Sequence, residues 1–168
     1  LYIKDDDLEE ALKYQFLRNR LDKVKLMRLE SKAASTRERA YLSHKYESST
    51  YSETNAIIIP RVSSERREFV PMGFLNSDTV IIDSAQAIYN AEPWILSVLT
   101  SKMHMVWMRA VAGRLKTDYR YSSALVYNTF PFPKINDNQK KVLNNCVFQI
   151  INAREMYSEK TFAELYDL

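Results

Sequence analysis

The sequence predicts an α+β fold, a small antiparallel or mixed sheet with a central helix, flanked by N- and C-terminal helices. Two patterns predict it. Short β-branched runs ended by proline or turn residues crowd the middle of the chain. Apolar residues spaced three or four apart recur in that region and on both sides of it. The expected organisation is an N-terminal helical segment at 1–50, a core at 51–133 and a C-terminal helical segment at 134–168.

Residues 5–18 are expected to form a helix. Asp5–Asp7 suit its positive end, and Leu8, Leu12 and Phe16 mark one face. A second helical segment spans 20–34, with Leu21, Val24 and Arg28 aligned. Thr36 is expected to cap a short helix running to His44. The polar stretch 47–54 is a loop. Three strands are expected at Ala56–Ile59, Arg66–Val70 and Thr79–Ile82, the first two stopped by Pro60 and Pro71. The central helix runs from Glu92 to Val111 with Ile95, Leu99, Met103, Val106 and Ala110 on its face, and Gly113 as its C-cap. Residues 114–121 follow as a strand. A helix over Asn136–Tyr157, with Val142, Cys146, Ile150 and Tyr157 on its face, and a short helix from Thr161 close the chain.

Composition narrows the function. No apolar run approaches the roughly 20 residues of a membrane span, so no membrane partner is expected. The lone Cys146 excludes an internal disulfide framework and fits a reducing cytoplasm. Gly73 and Gly113, the only glycines, make neither a P-loop nor a G-x-G turn, so no phosphate cradle and no small-molecule substrate are expected. His44, His104 and one cysteine cannot supply a zinc site of usual spacing. Net charge is only +3, but Arg61, Arg66, Arg67, Arg109, Arg114, Lys116 and Arg120 gather in the middle of the chain.

Within GRLKTDYRYS (113–122), a strand would alternate its side chains. Arg114, Lys116, Asp118 and Arg120 would then face one way, and Leu115, Thr117, Tyr119 and Tyr121 the other. Lysine and arginine donate to guanine O6 and N7, and aspartate accepts from cytosine N4. Lys116 and Asp118 together would favour a C·G pair. By spacing alone, a half-buried strand with a solvated outer face is the commoner explanation. In RVSSERRE (61–68), Arg61, Ser63, Ser64, Arg66 and Arg67 are groups that grip phosphate oxygens, or else a charged turn balanced by Glu65 and Glu68. Trp94, Trp107 and the tyrosines, with VYNTFPFP (126–133), are expected to pack rather than stack on bases. His104 is expected to be a packed or surface histidine, and Asn128 a turn residue.

Three blocks in order carry a resemblance: IIIPRVSSERREFVPMGFL (57–75), LTSKMHMVWMRAVAGRLKTDYRYS (99–122) and VYNTFPFP (126–133). Together they resemble the target-recognition region of MmeI-like restriction-modification enzymes, which are adenine-specific DNA methyltransferases. The resemblance implies sequence-specific recognition of double-stranded DNA, and it shifts the 114–120 pattern from solvated strand to base reader. It also implies that the chain is a piece of a longer protein whose methyltransferase domain is its partner and binds S-adenosylmethionine. The chain opens on Leu1 rather than Met, and FAELYDL (162–168) resembles the start of that family's C-terminal helical tail. No D/N-P-P-Y/F motif and no glycine-bearing cofactor loop occur, so no catalytic residue, metal or cofactor is expected in this piece itself. The alternative is a helical protein-interaction or subunit-docking domain without DNA contact, which would have no reason to present Arg-Lys-Asp-Arg at period two. A metal-dependent nuclease built on Asp22, Glu30 and Lys32 is a third option, weakened by the helical pattern there.

Overall fold

The computed structural model describes residues 2–46 and 51–167, so residues 47–50 of the expected 47–54 loop lie outside the described residues. The chain divides into two compact units, Leu1–Tyr51 and Ser52–Leu168.

In the first unit the expected 5–18 helix is two helices, α1 (Leu8–Ala11) and α2 (Gln15–Leu29). The break has a local cause. The carbonyl of Leu12, which a continuous helix would offer to the N–H of Phe16, accepts from Arg18 Nε at 3.0 Å and Nη2 at 2.7 Å. Tyr14 is extended and restarts the helix. The expected apolar face fails with it, since Phe16 is 69% exposed. On α2 itself Leu21 and Arg28 are buried, as the alignment of 21, 24 and 28 predicts. Arg28 is the hub of this unit. Its guanidinium donates to the carbonyls of Arg39 (3.0 Å), Leu42 (2.8 Å) and Lys45 (2.7 Å). These lie around a 3₁₀ turn, Ala40–Leu42, that follows α3 (Ala34–Glu38). Thr36 sits inside α3 and does not cap it; the N-cap is Ala33, without a side-chain bond. His44 is buried with Nε2 2.9 Å from Asp5.

The second unit holds two three-stranded antiparallel sheets rather than one. In the first, β1 (Ala56–Pro60) lies between β3 (Gly73–Leu75) and β4 (Ala85–Tyr89). In the second, β6 (Asp118–Arg120) lies between β2 (Val62–Ser63) and β5 (Gly113–Leu115). Only Arg61 separates β1 from β2, and its backbone ties the sheets together. Its N–H donates to Ser84 O (3.1 Å) and its carbonyl accepts from the N–H of Tyr121 (2.8 Å).

Two expected strands are displaced. Residues 66–70 form no ladder; Val70 is buried and its N–H meets Met105 Sδ instead, and pairing with β1 begins only at Gly73, beyond Pro71. Residues 79–82 are irregular, with Ile82 49% exposed, and the strand is AQAIY at 85–89, in register with β1 from Ala56↔Tyr89 to Pro60↔Ala85.

The central helix is broken into α4 (Pro93–Leu99) and α5 (Lys102–Val111). The hydroxyls of Thr100 and Ser101 donate to Leu96 O and Val98 O, and Ser101 accepts from the N–H of His104, restarting the helix. The break rotates the buried side. His104, Met105 and Met108 face the core, while the expected Met103 and Val106 are exposed. Gly113 is not a left-handed cap: no glycine has positive φ, the C-cap is Ala112 and Gly113 opens β5. α6 (Asp137–Glu155) starts at an Asn136–Gln139 capping box and packs on α4, with Val147 buried and Leu143, Ile150 and Ile151 half-buried. The expected Val142 and Cys146 are exposed, and Ile150 is the position of that face that stays inward. The short helix expected from Thr161 is α7 (Phe162–Tyr166), with Thr161 as its N-cap.

Ile57, Ile59, Met72, Leu96, Leu99, Met105, Tyr121, Val126 and Val147 make the buried core between sheets and helices. Trp107 donates to Val126 O at 3.2 Å, and Phe130 stacks edge-on to both His104 and Phe132, so the aromatic-proline block packs as expected. It does so as a single π-helical turn, Ser123–Tyr127, followed by irregular chain, not as a strand.

Candidate nucleic-acid interface

The segment expected to be one strand is a hairpin. β5 and β6 pair as Gly113↔Arg120, Arg114↔Tyr119 and Leu115↔Asp118, leaving Lys116 and Thr117 as a two-residue turn. Lys116 takes φ 57°, the positive value that the first position of such a turn requires in type I′ and II′ geometry. This corrects the alternation read from the sequence. Partners directly opposite in an antiparallel ladder share a face. Arg114 therefore lies with Tyr119 and, across β2, with Ser63; Arg120 and Asp118 lie on the opposite face with Leu115, Gly113 and Val62.

The first of these faces looks inward. Ser63 is 3% exposed, and Tyr119 packs against the core. Arg114 is committed within the chain: its guanidinium stacks 3.8 Å above the Tyr119 ring, donates to Thr117 O at 2.6 Å and pairs with Glu65 at 3.5 Å. It braces the hairpin turn. The second face looks outward. Val62, Leu115 and Arg120 are exposed, and Asp118 is half-buried, because one of its oxygens accepts from the backbone N–H of Glu65 at 3.3 Å. That bond fixes the 64–67 turn beside the hairpin.

The residues expected to hold phosphate separate in the same way. Ser63 is on the buried face, where its hydroxyl finds no partner, so it cannot reach a phosphate from this position. Ser64 accepts from the N–H of Arg66. Arg67 is turned into a contact with Asp167 at 2.6 Å, its side chain 17% exposed, and that guanidinium holds the Asp167 carboxyl below its ordinary value. Arg61, Arg66, Lys116 and Arg120 are exposed and form no ion pair among the described residues.

Beneath the hairpin, Tyr121 anchors its exit. Its hydroxyl lies 2.9 Å from Nε2 of the fully buried His104, which burial pushes down to about 4; burial also raises the Tyr121 phenol. Its carbonyl accepts from Gln86. His104 is thus the packed histidine the sequence predicts. Val62 and Leu115 escaped sequence reasoning, because an exposed apolar side chain on a short strand has the same local signature as a buried one. Among the described residues, no cluster of histidine, cysteine, aspartate or glutamate could hold a metal ion.

The arrangement offers cations for phosphate oxygens at the turns and, between them, a narrow sheet face mixing an arginine with two apolar side chains. The model of the family described as MmeI, target recognition domain, matches residues 1–134. DNA methyltransferase A of Bacillus subtilis (strain 168) is 36% identical over 167 residues, which is 99% of this chain and 19% of that protein. A solved structure of the type IIL restriction-modification enzyme MmeI in complex with DNA superimposes with a TM-score of 0.91 at 38% identity, over 99% of this chain and 22% of that one. The chain spans about a fifth of the length of both. On this family match, which takes in both sheets and the hairpin, the chain belongs to the MmeI target recognition domain family.

Proposed function

We propose that this chain recognises a specific sequence of double-stranded DNA on behalf of a longer, S-adenosylmethionine-dependent adenine-N6 DNA methyltransferase of the restriction-modification type. The observation that carries the reading is the set of exposed cations Arg61, Arg66, Lys116 and Arg120, on or beside the strands of the second sheet, which form no ion pair among the described residues. Arg66 and Lys116 sit on turns and Arg61 on the one-residue link between β1 and β2, where they hold phosphates and set register; these contacts carry no sequence information. Arg120 sits on the strand, where a guanidinium meets a base edge in the major groove. Asp118 keeps one oxygen free to accept from a base amine.

The chemistry of methyl transfer belongs to the rest of the longer protein. The cofactor would be held there, since this chain has two glycines and no motif for the target amine. The lone thiol of Cys146 is exposed and unpaired, which suits work in a reducing cytoplasm; no described helix is long and apolar enough to cross a membrane. A second role falls to the Leu1–Tyr51 unit. Phe16 and Met27, 69% and 60% exposed, line one groove along α2 with Val24, and this apolar strip supports docking against the methyltransferase domain of the same polypeptide.

The test is selection from a randomised duplex pool with the purified chain. A defined sequence should be enriched, and Arg120→Ala should abolish the enrichment while leaving weak, unspecific binding. A pool that stays random through every round would overturn the reading.

A further inference from the structure

Gly113 stands directly across the ladder from Arg120, and Val62 flanks Arg120 on the other side, so the three form one row over the outer face. Leu115 and Asp118 make the next row on the same face. A glycine inside a strand weakens it, and its presence usually answers a need for positive φ or for close internal packing. Neither need exists at Gly113. Its φ is not positive, and a Cβ placed there would meet nothing within 4 Å. Gly73 shows the contrast: a side chain there would come within 3.0 Å of the Phe162 ring.

We infer that Val62, Leu115 and Arg120 read bases from this face, and that Gly113 is kept without a side chain so that the edge of the major groove can reach the strand. The inference rests on the DNA reading above and deepens it. Arg120 beside an empty position has room to lie flat and donate both N–H groups to guanine O6 and N7. Val62 and Leu115, 37% and 53% exposed, are apolar where a solvated strand would be polar. The one apolar feature of the major groove is the thymine methyl group, so the face is built for thymine next to guanine. Neighbouring strands are about 4.8 Å apart, close enough for adjacent side chains to address adjacent base pairs.

Two measurements test this on the sequence obtained by selection. Gly113→Val fits a strand position, so the variant should melt at or above the wild-type temperature. It should bind the selected duplex at least tenfold more weakly. Next, each thymine of that duplex is replaced in turn by deoxyuridine, which lacks only the methyl group. Wild type should lose about fourfold in affinity at one thymine, the worth of one buried methyl, and Val62→Ala/Leu115→Ala should lose nothing there. Unaltered binding by a folded Gly113→Val, or tolerance of deoxyuridine at every position, overturns the inference. If the chain enriches no sequence at all, or Arg120→Ala binds as wild type does, it is the DNA reading itself that fails.

Discussion

Arg66 and Arg67 are neighbours of identical chemistry, and on the sequence alone they are equivalent phosphate ligands. The structure separates them. Arg67 is already neutralised by Asp167 at 2.6 Å, whereas Arg66 is exposed. Each phosphate neutralised contributes about 0.9 to the slope of log K against log salt. With Arg61, Arg66 and Lys116 on phosphates, the wild-type slope is about −2.7, so raising salt from roughly 50 to 200 mM costs about fortyfold in affinity. Removing one of the three reduces the slope to about −1.8 and the loss to about twelvefold. The single variants are Arg61→Ala, Arg66→Ala and Lys116→Asn, the last because asparagine tolerates the positive φ of that turn. Arg67→Ala should leave the slope as it was. Fluorescence anisotropy on a labelled duplex over a salt series measures all five proteins. A slope flattened equally by Arg66→Ala and Arg67→Ala would refute the assignment, since it would mean that DNA draws Arg67 away from Asp167.

Two further predictions concern stability. His104 is held at about 4 in the folded chain against about 6.5 when unfolded, so between those values the unfolded state takes up a proton that the folded state refuses. Stability should therefore fall by about 3 kcal/mol as pH drops from roughly 6.5 to 4, with no further loss from this group below; the difference in urea midpoints between wild type and His104→Gln over that range should show it, and parallel pH profiles would refute it. Arg28→Met should deprive the carbonyls of Arg39, Leu42 and Lys45 of their donor and cost about 3 kcal/mol, read as faster amide exchange over residues 39–45; unchanged exchange would show those bonds to be dispensable.

Much of the helical architecture was legible in periodicity and caps. The helices expected from Asn136 and Thr161 form there, each started by a capping box. Ala56–Ile59 stands out because β-branched residues and a proline stop coincide. The two split helices share a cause: side chains took over backbone partners. Arg18 claims the Leu12 carbonyl and splits the first helix, and the hydroxyls of Thr100 and Ser101 split the central one. Once a helix is split, every face inferred by counting through the break is rotated, which is why Met103 and Val106 face water. β4 was missed because Ala-Gln-Ala-Ile-Tyr lacks a β-branched run; it is a strand because β1 offers it a full edge.

The hairpin matters more for function than any of these. Period two holds along a strand, but a two-residue turn passes the chain to a new strand whose alternation is set by pairing across the ladder. Between Arg114 and Arg120 the chain turns at Lys116, so the two arginines end on opposite faces although they are an even number of residues apart. The joint reading of a base pair by Lys116 and Asp118 no longer follows from two positions on one strand, because one occupies the turn and the other the outer face. The residues that share a row of the outer face are ladder neighbours: 62 with 120 and 113, and 115 with 118. A change of target base should accordingly require paired substitutions across strands, for example at 62 and 120. Pairs chosen along the chain, such as 114 and 120, combine an internal brace with an outward-facing side chain. Altering Arg114 should weaken binding to every sequence by loosening the turn, while altering Arg120 with Val62 should move preference from one base to another.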